Sequence, residues 1–162
     1  MIKLVLLDID GVLTDGRVTV DSQGNEYKTI DFKDIDAVFE MKRKGFKVGL
    51  LTGEATPITL FFQKRFKPDY FYNGCKNKPE ALMDILKKSG LTAAETCYVG
   101  DAKYDIPVMR LVGLSACPSN AIPEVRELAD LQLAGRGGEG CIWELLEYLM
   151  KQNKGSTGKR NS

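Results

Sequence analysis

Two aspartates, Asp8 and Asp10, stand one residue apart directly after the apolar run of residues 2–7. The run predicts a buried strand, and side chains two residues apart at a strand end point the same way, so both carboxylates would face one crevice. Like charges this close repel each other and resist the loss of water unless a cation binds them. Oxygen ligands suit Mg²⁺, so the pair indicates a magnesium site; a solvated turn is the ordinary alternative.

Three more polar groups follow later apolar segments. Thr52 and Gly53 end a second strand, where a hydroxyl and backbone N–H groups can hold phosphate oxygens. Lys78 opens a predicted helix, and Asp101 and Asp105 follow another strand. A turn, a surface lysine or a helix cap would explain each group alone. Together they form the set that phosphoryl transfer with magnesium requires: one carboxylate attacks phosphorus, a neighbour handles the proton, and cations screen charge.

Composition excludes several other classes of function. The chain has 162 residues and no histidine, so it holds no Ser-His-Asp triad and no imidazole proton shuttle. Its formal net charge of +1 gives no global field for nucleic acid or an anionic membrane. We expect no signal peptide and no spanning helix. The cysteines form no CxxC pair and indicate thiols in a reducing cytoplasm: Cys75, Cys97, Cys117 and Cys141.

The elements that must position these groups alternate between strands and helices. We predict strands at residues 2–7, 46–51, 70–72, 96–99, 113–116 and 131–134. We predict helices at residues 34–44, 58–66, 78–89, 106–112, 122–129 and 141–150. Such alternation favours an α/β fold, a Rossmann-like parallel sheet flanked by helices. In these sheets ligands bind outside the carboxyl ends of the strands, which is where the polar groups stand.

A β-hairpin is predicted between the first strand and the first helix. Residues 17–20 and 26–30 would be its arms around the turn DSQGN, and residues 15–31 would act as a lid. Only 44 positions separate Asp8 from Thr52, 26 separate Thr52 from Lys78, and 23 separate Lys78 from Asp101. These intervals leave no room for an inserted cap domain, so either the substrate is a macromolecule or another subunit covers the site. We predict a single domain over residues 1–152 and a disordered tail over residues 153–162.

The stretches LLDIDGVLTDG, LLTGE, NKPEAL and GDAKYD, in this order, resemble the haloacid dehalogenase superfamily of phosphohydrolases. The resemblance implies that Asp8 is the nucleophile and forms an aspartyl-phosphate. It implies that Asp10 protonates the leaving alcohol and then deprotonates the attacking water. Thr52, the Gly53 backbone and Lys78 would bind the phosphoryl group.

The same resemblance implies a metal site. Asp8, the backbone carbonyl of Asp10, and Asp101 would hold Mg²⁺, and Asp105 would support the metal through its waters or hydrogen bonds. Many members carry a second aspartate directly after the one at position 101, where this chain has Ala102.

From residue 2 to about residue 150 the chain resembles the capless sugar-acid phosphatases of this superfamily, which act on 3-deoxy-D-manno-octulosonate 8-phosphate or on nine-carbon, sialic-acid-type 9-phosphates. The resemblance implies a cytoplasmic homotetramer of lipopolysaccharide biosynthesis, in which the hairpin of one subunit caps a neighbour's site. Candidate contacts to the leaving group are Glu54, Arg65 and Arg136.

The substrate prediction ranks the octulosonate first and the nine-carbon acids second. Glu54 follows Thr52-Gly53 where octulosonate phosphatases tend to carry arginine and some nine-carbon relatives carry glutamate. Trp143 stands where many members place an arginine after RGGEG. A non-catalytic member of the fold is the remaining alternative. A receiver-type signalling domain is disfavoured because the middle strand that precedes Thr52 does not end in an aspartate.

Overall fold

The computed structural model describes residues 1–157 and contains a six-stranded parallel sheet flanked by helices, as predicted. Its strands are β1 (Leu4–Leu7), β2 (Thr19–Val20), β3 (Glu26–Tyr27), β4 (Lys47–Leu51), β5 (Tyr70–Tyr72), β6 (Thr96–Val99), β7 (Leu114–Cys117) and β8 (Leu131–Gln132). Its α-helices are α1 (Phe32–Arg43), α2 (Pro57–Phe66), α3 (Lys78–Ser89), α4 (Ile106–Met109), α5 (Pro123–Leu128) and α6 (Cys141–Thr157). Short 3₁₀ helices occur at Ala93–Glu95 and Lys103–Asp105.

Strand β1 lies in the middle of the sheet, whose order is β5-β4-β1-β6-β7-β8. Leu7, its last residue, pairs with Leu50 on one side and Val99 on the other. The chain builds the sheet outward from β1 in both directions, so the connections diverge at the carboxyl end of β1. A crevice forms at such a switch point and is the expected ligand site of this architecture.

Both faces of the sheet are covered, which explains why β1 is an unbroken apolar run. All four of its residues are fully buried. On one face Val5 and Leu7 pack in a core with helices α1, α2 and α6. On the other face Leu4 and Leu6 pack in a second core with α3, α4 and α5. The end of β1 is thereby held from both sides, which makes it a rigid platform for the residues that follow.

Helix starts near the crevice are capped by side chains. The Asn77 side chain accepts from the backbone N–H of Glu80 at 3.2 Å, and Pro79 stands in the first turn, so α3 begins at Lys78. The buried Asp34 accepts from the N–H groups of Gly140 and Ile142 at the start of α6, at 3.1 and 3.0 Å. Burial raises the pKa of Asp34 to about 6, although these two bonds oppose the shift.

Several predicted boundaries were wrong. The hairpin arms form only two residue pairs, because this exposed ribbon lies off the main sheet and packs little apolar surface. Strand β8 ends at residue 132, helix α1 begins at residue 32, and α4 ends at residue 109. Helix α6 continues to Thr157, so residues 153–157 of the predicted disordered tail are helical.

The extension of α6 has a physical cause that composition does not reveal. Each added helical residue gains a backbone hydrogen bond once a helix exists, and the Asn153 side chain also donates to the carbonyl of Ile2 at 3.4 Å. Residues 158–162 of the predicted tail lie outside the described residues. Within residues 1–157, none of the helices combines the length and the apolar character that crossing a bilayer requires.

Candidate active site

A cavity of about 470 Å³ opens at the carboxyl ends of β1, β4 and β6. Every residue that the sequence predicted for chemistry contributes to its lining: Asp8, Asp10, Thr52, Gly53, Lys78, Asp101 and Asp105. These residues come from four separate stretches of the chain, and the parallel sheet brings the stretches together at one edge.

Asp8 lies at the bottom of the cavity and is only 8% exposed. Its backbone N–H donates to the carbonyl of Val99, which continues the pairing of β1 with β6. Its Oδ1 accepts from the N–H of Ile9 at 2.8 Å and lies 3.1 Å from Nζ of Lys78. Burial, followed by the charge of Asp105, raises the pKa of Asp8 to about 8, although Lys78 opposes the shift. The carboxylate therefore depends on nearby cations to stay ionised at neutral pH.

Lys78 and Asp105 form a buried ion pair beside Asp8. The Lys78 Nζ lies 2.5 Å from Asp105 Oδ1, and both side chains are at most 5% exposed. Burial lowers the pKa of Lys78, but the charges of Asp8 and Asp105 outweigh that effect and raise it. The lysine is thus a permanent cation that bridges two carboxylates at the bottom of the cavity.

Asp105 is fully engaged by hydrogen-bond donors. Its Oδ1 also accepts from the hydroxyl of Tyr98 at 2.7 Å, and its Oδ2 accepts from the N–H groups of Asp101 and Ala102 at 3.0 and 3.1 Å. Because all its bonds are directed at protein groups, Asp105 fits the predicted supporting role. Sequence reasoning missed Tyr98, whose hydroxyl is hidden in an otherwise apolar strand and left no recognisable pattern.

Asp101 is the residue whose bonding is incomplete. Its Oδ1 is buried and has no hydrogen-bond partner among the described residues. Asp8, Asp101 and Asp105 each place one carboxylate oxygen within 4.8 Å of the others. Burial, followed by the charge of Asp105, raises the pKa of Asp101 to about 7. A buried, unpartnered carboxylate oxygen within such a cluster fits a divalent cation with oxygen ligands.

The charge of the cavity supports the same conclusion. Its lining carries five carboxylates, from Asp8, Asp10, Glu54, Asp101 and Asp105, against the two lysines Lys76 and Lys78. With all of them ionised, and with Lys28 paired to Asp10, the formal charge is −2, which would repel a phosphate dianion. A divalent cation bound in the acidic cluster would reduce this repulsion. The residues present therefore fit Mg²⁺, with Asp8 and Asp101 as carboxylate ligands. The Asp10 side chain lies outside the cluster and would not be a ligand.

The opposite wall of the cavity is formed by the turn after β4. Thr52 is buried, and its backbone N–H donates to the carbonyl of Tyr72 at 2.9 Å. Its Oγ1 accepts from the N–H of Glu54 at 3.2 Å, which closes a tight turn around Gly53. The position where a Cβ would stand on Gly53 has no atom within 4 Å. The turn thus presents a hydroxyl and open backbone to the cavity, as phosphate binding requires.

The glycines of RGGEG buttress the loop that follows β1. A Cβ on Gly137 would stand 1.8 Å from the carbonyl oxygen of Gly11, and the N–H of Gly138 donates to the carbonyl of Val12 at 2.9 Å. This close approach requires residues without side chains. The motif supports the catalytic loop from behind and does not border the cavity.

The structure places only one of the three leaving-group candidates at the cavity. Glu54 contributes to the lining. Arg65 lies on the last turn of α2 with its Cζ 5.7 Å from the centre of the Phe32 ring, because the helix turns this position towards α1. Arg136 lies 3.5 Å from Glu139 within its own supporting loop. Neither arginine borders the cavity within the described residues, so their contacts to a leaving group stay predictions.

Other lining residues were not predicted. Cys75 and Lys76 border the cavity from the loop before α3, and Tyr104 borders it from the 3₁₀ helix before α4. Trp143 does not border it, and its indole N–H donates to Glu147 one turn along α6. Lys28, from the hairpin, approaches Asp10. Loop residues of this kind follow no fixed spacing, so sequence reasoning had little with which to find them.

Comparison with known proteins agrees with this geometry. The family model of the haloacid dehalogenase-like hydrolases matches residues 29–113. A 3-deoxy-D-manno-octulosonate 8-phosphate phosphatase from Haemophilus influenzae is 31% identical over 156 residues, which cover 96% of this chain and 87% of the relative. The chain therefore belongs to the haloacid dehalogenase-like hydrolases. It is a phosphoric monoester hydrolase.

Two solved structures are similar over almost the whole chain. The cobalt-bound form of the deoxy-D-mannose-octulosonate 8-phosphate phosphatase from Haemophilus influenzae has a TM-score of 0.89 and 29% identity, covering 99% of this chain and 94% of that one. The 3-deoxy-D-manno-octulosonate 8-phosphate phosphatase from Moraxella catarrhalis, solved in complex with magnesium, phosphate and KDO, has a TM-score of 0.87 and 27% identity, covering 93% and 86%. Both similarities extend well beyond the cavity residues.

Proposed function

We propose that this protein is a Mg²⁺-dependent phosphatase that hydrolyses 3-deoxy-D-manno-octulosonate 8-phosphate through an aspartyl-phosphate. The observation that carries the proposal is the buried arrangement of Asp8, Lys78 and Asp105 beside Asp101, whose Oδ1 has no hydrogen-bond partner among the described residues. The substrate is supported by the activity named for the similar proteins, which match this chain over nearly its full length.

The proposed reaction uses Asp8 as nucleophile. The contacts that hold this carboxylate are made by Oδ1, which leaves Oδ2 for attack on phosphorus. As the Asp8–phosphorus bond forms, the bond from phosphorus to the sugar oxygen breaks, and Asp10 gives its proton to the leaving alcohol. Asp10 then takes a proton from the water that hydrolyses the aspartyl-phosphate. Both carboxylates return to their starting states, and the products are the free sugar acid and inorganic phosphate.

Three groups would stabilise the transferring phosphoryl group. Lys78 supplies a buried positive charge, and Thr52 with the Gly53 backbone supplies donors on the opposite wall. Mg²⁺, held by Asp8, Asp101 and the carbonyl of Asp10, would screen the negative charge between nucleophile and phosphate. These positions are the ones that the sequence motifs predicted.

A nine-carbon acid 9-phosphate is the second candidate substrate, and one observation favours it. Glu54 borders the cavity, and it is the residue type found in some nine-carbon phosphatases at this position. The non-catalytic alternative is disfavoured because this chain retains the complete set of chemical groups. At the unusual position 102, Ala102 still donates its backbone N–H to Asp105.

The assembly is part of the proposal: a cytoplasmic homotetramer in which each hairpin caps a neighbouring site. Its support is the exposed apolar surface of the hairpin, where Val18, Val20 and Tyr27 are 45%, 59% and 55% exposed. Light scattering at assay concentration tests this assembly, and a monomer would contradict it.

The function is tested by measuring phosphate release from the eight-carbon and nine-carbon ulosonate phosphates, with Mg²⁺ and with excess chelator. We expect turnover that requires Mg²⁺ and a higher kcat/KM for the octulosonate ester. A higher kcat/KM for the nine-carbon ester would make that ester the first candidate substrate and the octulosonate ester the second. Absence of turnover on both, in protein shown to be folded by circular dichroism, would overturn the proposed substrate class.

The mechanism is tested with Asp8→Asn. Because the amide cannot form an acyl-phosphate, we expect turnover to fall to the background of the assay with every substrate. Wild-type protein that has reacted with radiolabelled substrate and is then quenched with acid should carry up to one alkali-labile phosphate per active chain. The variant should carry none. Turnover by the variant at a measurable fraction of the wild-type rate would refute the aspartyl-phosphate.

A further inference from the structure

Lys28 behaves differently from the hairpin residues around it. It follows β3, and its neighbours Tyr27 and Thr29 are exposed to solvent. Its own side chain is only 6% exposed, and its Nζ lies 2.6 Å from Oδ1 of Asp10, 18 positions earlier in the chain. One side chain of an otherwise solvated ribbon thus reaches into the site and contacts a carboxylate there.

This contact is more than an ordinary surface ion pair. Burying an ammonium group removes its water, and ordering a long lysine side chain costs conformational entropy, so this geometry requires a compensating contact. Asp10 supplies the opposite charge, while its own side chain keeps 32% exposure and borders the cavity. The pair therefore holds the Asp10 carboxylate by one oxygen and leaves the other oxygen for the cavity.

The two buried lysines of the site are divided between its two central carboxylates. Lys78, from α3 at the bottom of the cavity, contacts Asp8 and Asp105. Lys28, from the hairpin above, contacts Asp10. In the proposed mechanism Asp8 attacks phosphorus and Asp10 moves protons, so each role is served by a separate cation from a separate element.

We propose that Lys28 is a positioning residue for Asp10. It holds the carboxyl group in the direction from which a proton reaches the oxygen of the leaving alcohol, and it makes that alignment depend on the seating of the hairpin. An aspartate at a loop position has freedom about χ1, and restricting it to the productive direction accelerates proton transfer. The inference rests on the proposed role of Asp10 but not on the identity of the sugar acid.

The experiment compares two leaving groups, since a residue that acts through the general acid matters only when the leaving group needs a proton. Lys28→Met is measured on an alkyl ester, the octulosonate 8-phosphate, and on p-nitrophenyl phosphate, whose nitrophenolate departs without one. We expect kcat/KM to fall about 10- to 100-fold on the alkyl ester and less than about 3-fold on p-nitrophenyl phosphate. Lys28→Arg, which keeps a cationic donor, should recover part of the loss.

Three outcomes overturn the proposal. Equal losses of kcat/KM on both esters would show that Lys28 is a structural or phosphate-binding residue. No loss on either ester would show that Lys28 does not contribute to the reaction. In an Asp10→Asn background Lys28→Met should add little, so a full additional loss would show that it does not act through Asp10.

Controls separate this inference from the proposed function and from misfolding. Lys47→Met removes another lysine paired with an aspartate, Asp69 at 3.4 Å, at the far end of β4, and should leave both rates unchanged. If Lys28→Met does not fold, Lys28→Gln keeps a donor without the charge and takes its place. Failure of wild-type protein on the octulosonate would overturn the substrate alone, because the comparison then uses any alkyl phosphate that it does hydrolyse.

Discussion

The site has two parts that are built in different ways. Its floor consists of Asp8, Thr52, Lys78 and Asp105, each at most 8% exposed, which lie at the ends of β1 and β4, at the first turn of α3 and in the 3₁₀ helix after β6. Its rim consists of the exposed residues Glu54 and Lys76, which lie in loops, and Tyr104, which lies in the 3₁₀ helix after β6 and is 81% exposed. Three of the four floor side chains interact with one another, whereas ion pairs join none of the rim residues in the described chain.

This difference separates chemistry from substrate choice. Phosphate and metal are the same for every phosphomonoester, so the groups that contact them gain from a rigid, buried frame. The leaving group varies, and exposed loops can change around it without disturbing the sheet. The floor therefore identifies a phosphatase, while the rim and any neighbouring subunit must decide which ester is accepted. Lys28 joins the two parts, because it reaches from the hairpin to Asp10, the proposed acid–base residue.

After the loss expected for Asp8→Asn, the next largest effect is expected at Gly11, which is compared with Gly24 because both have the same backbone conformation. Gly11 has φ +80° and a Cβ there would stand 1.9 Å from Oδ2 of Asp101; Gly24 has φ +82° and no atom within 4 Å. Both alanine variants incur about 1–2 kcal/mol of backbone strain. Gly11→Ala should also displace Asp101 and lower Mg²⁺-dependent kcat/KM at least about 100-fold, whereas Gly24→Ala should stay within about twofold.

Mg²⁺ titrations of both variants by activity and by thermal shift check this prediction. Equal behaviour of the two variants would show that the frame around Asp101 is less rigid than the structure indicates.

A second prediction concerns the pH dependence of metal binding at the floor. In the metal-free protein the pKa values of Asp8 and Asp101 are raised to about 8 and about 7, and Mg²⁺ binds the ionised forms. The affinity for Mg²⁺ should therefore be highest above pH 8 and should fall at lower pH, where protons compete with Mg²⁺ for the two carboxylates. The affinity should fall about tenfold per pH unit for each proton that Mg²⁺ displaces. One proton is displaced between pH 8 and 7, and two are displaced below pH 7. Calorimetry in buffers of different ionisation enthalpy measures the protons released, and affinity independent of pH from 6 to 8 would contradict the prediction.

The smallest expected effect is at the rim. Lys78 is held by two carboxylates, so Lys76 is the cation of the lining that is available to the carboxylate of a sugar acid. Because Lys76 is exposed, its loss in Lys76→Met should raise KM for the octulosonate ester only about two- to fivefold. KM for p-nitrophenyl phosphate should not change, and Lys76→Arg should retain the wild-type value. A larger effect on kcat than on KM would place Lys76 among the chemical groups and weaken the distinction between floor and rim.

The sequence predicted the floor more accurately than the rim for a physical reason. Apolar runs that end in Asp8, Thr52 or Asp101 locate strand ends, and a parallel sheet necessarily gathers strand ends at one edge. Arg65 and Arg136 were assigned to the leaving group by resemblance, and the structure places Arg65 against Phe32 of α1 and Arg136 beside Glu139 in its own loop. A side chain on a helix turn or a loop depends on packing directions that periodicity does not specify.

The sequence by itself determined the α/β class, the missing cap insertion and the chemical set around Asp8, because local apolar patterns and short intervals between motifs leave few alternatives. Only the tertiary structure decided which contacts these groups make with one another. It surrounded Asp105 with hydrogen-bond donors that include the buried hydroxyl of Tyr98, and within residues 1–157 it left Asp101 Oδ1 without a hydrogen-bond partner. It also placed Lys28 of the hairpin in contact with Asp10. These contacts join residues from different elements, and their distances are set by the packing of the whole core.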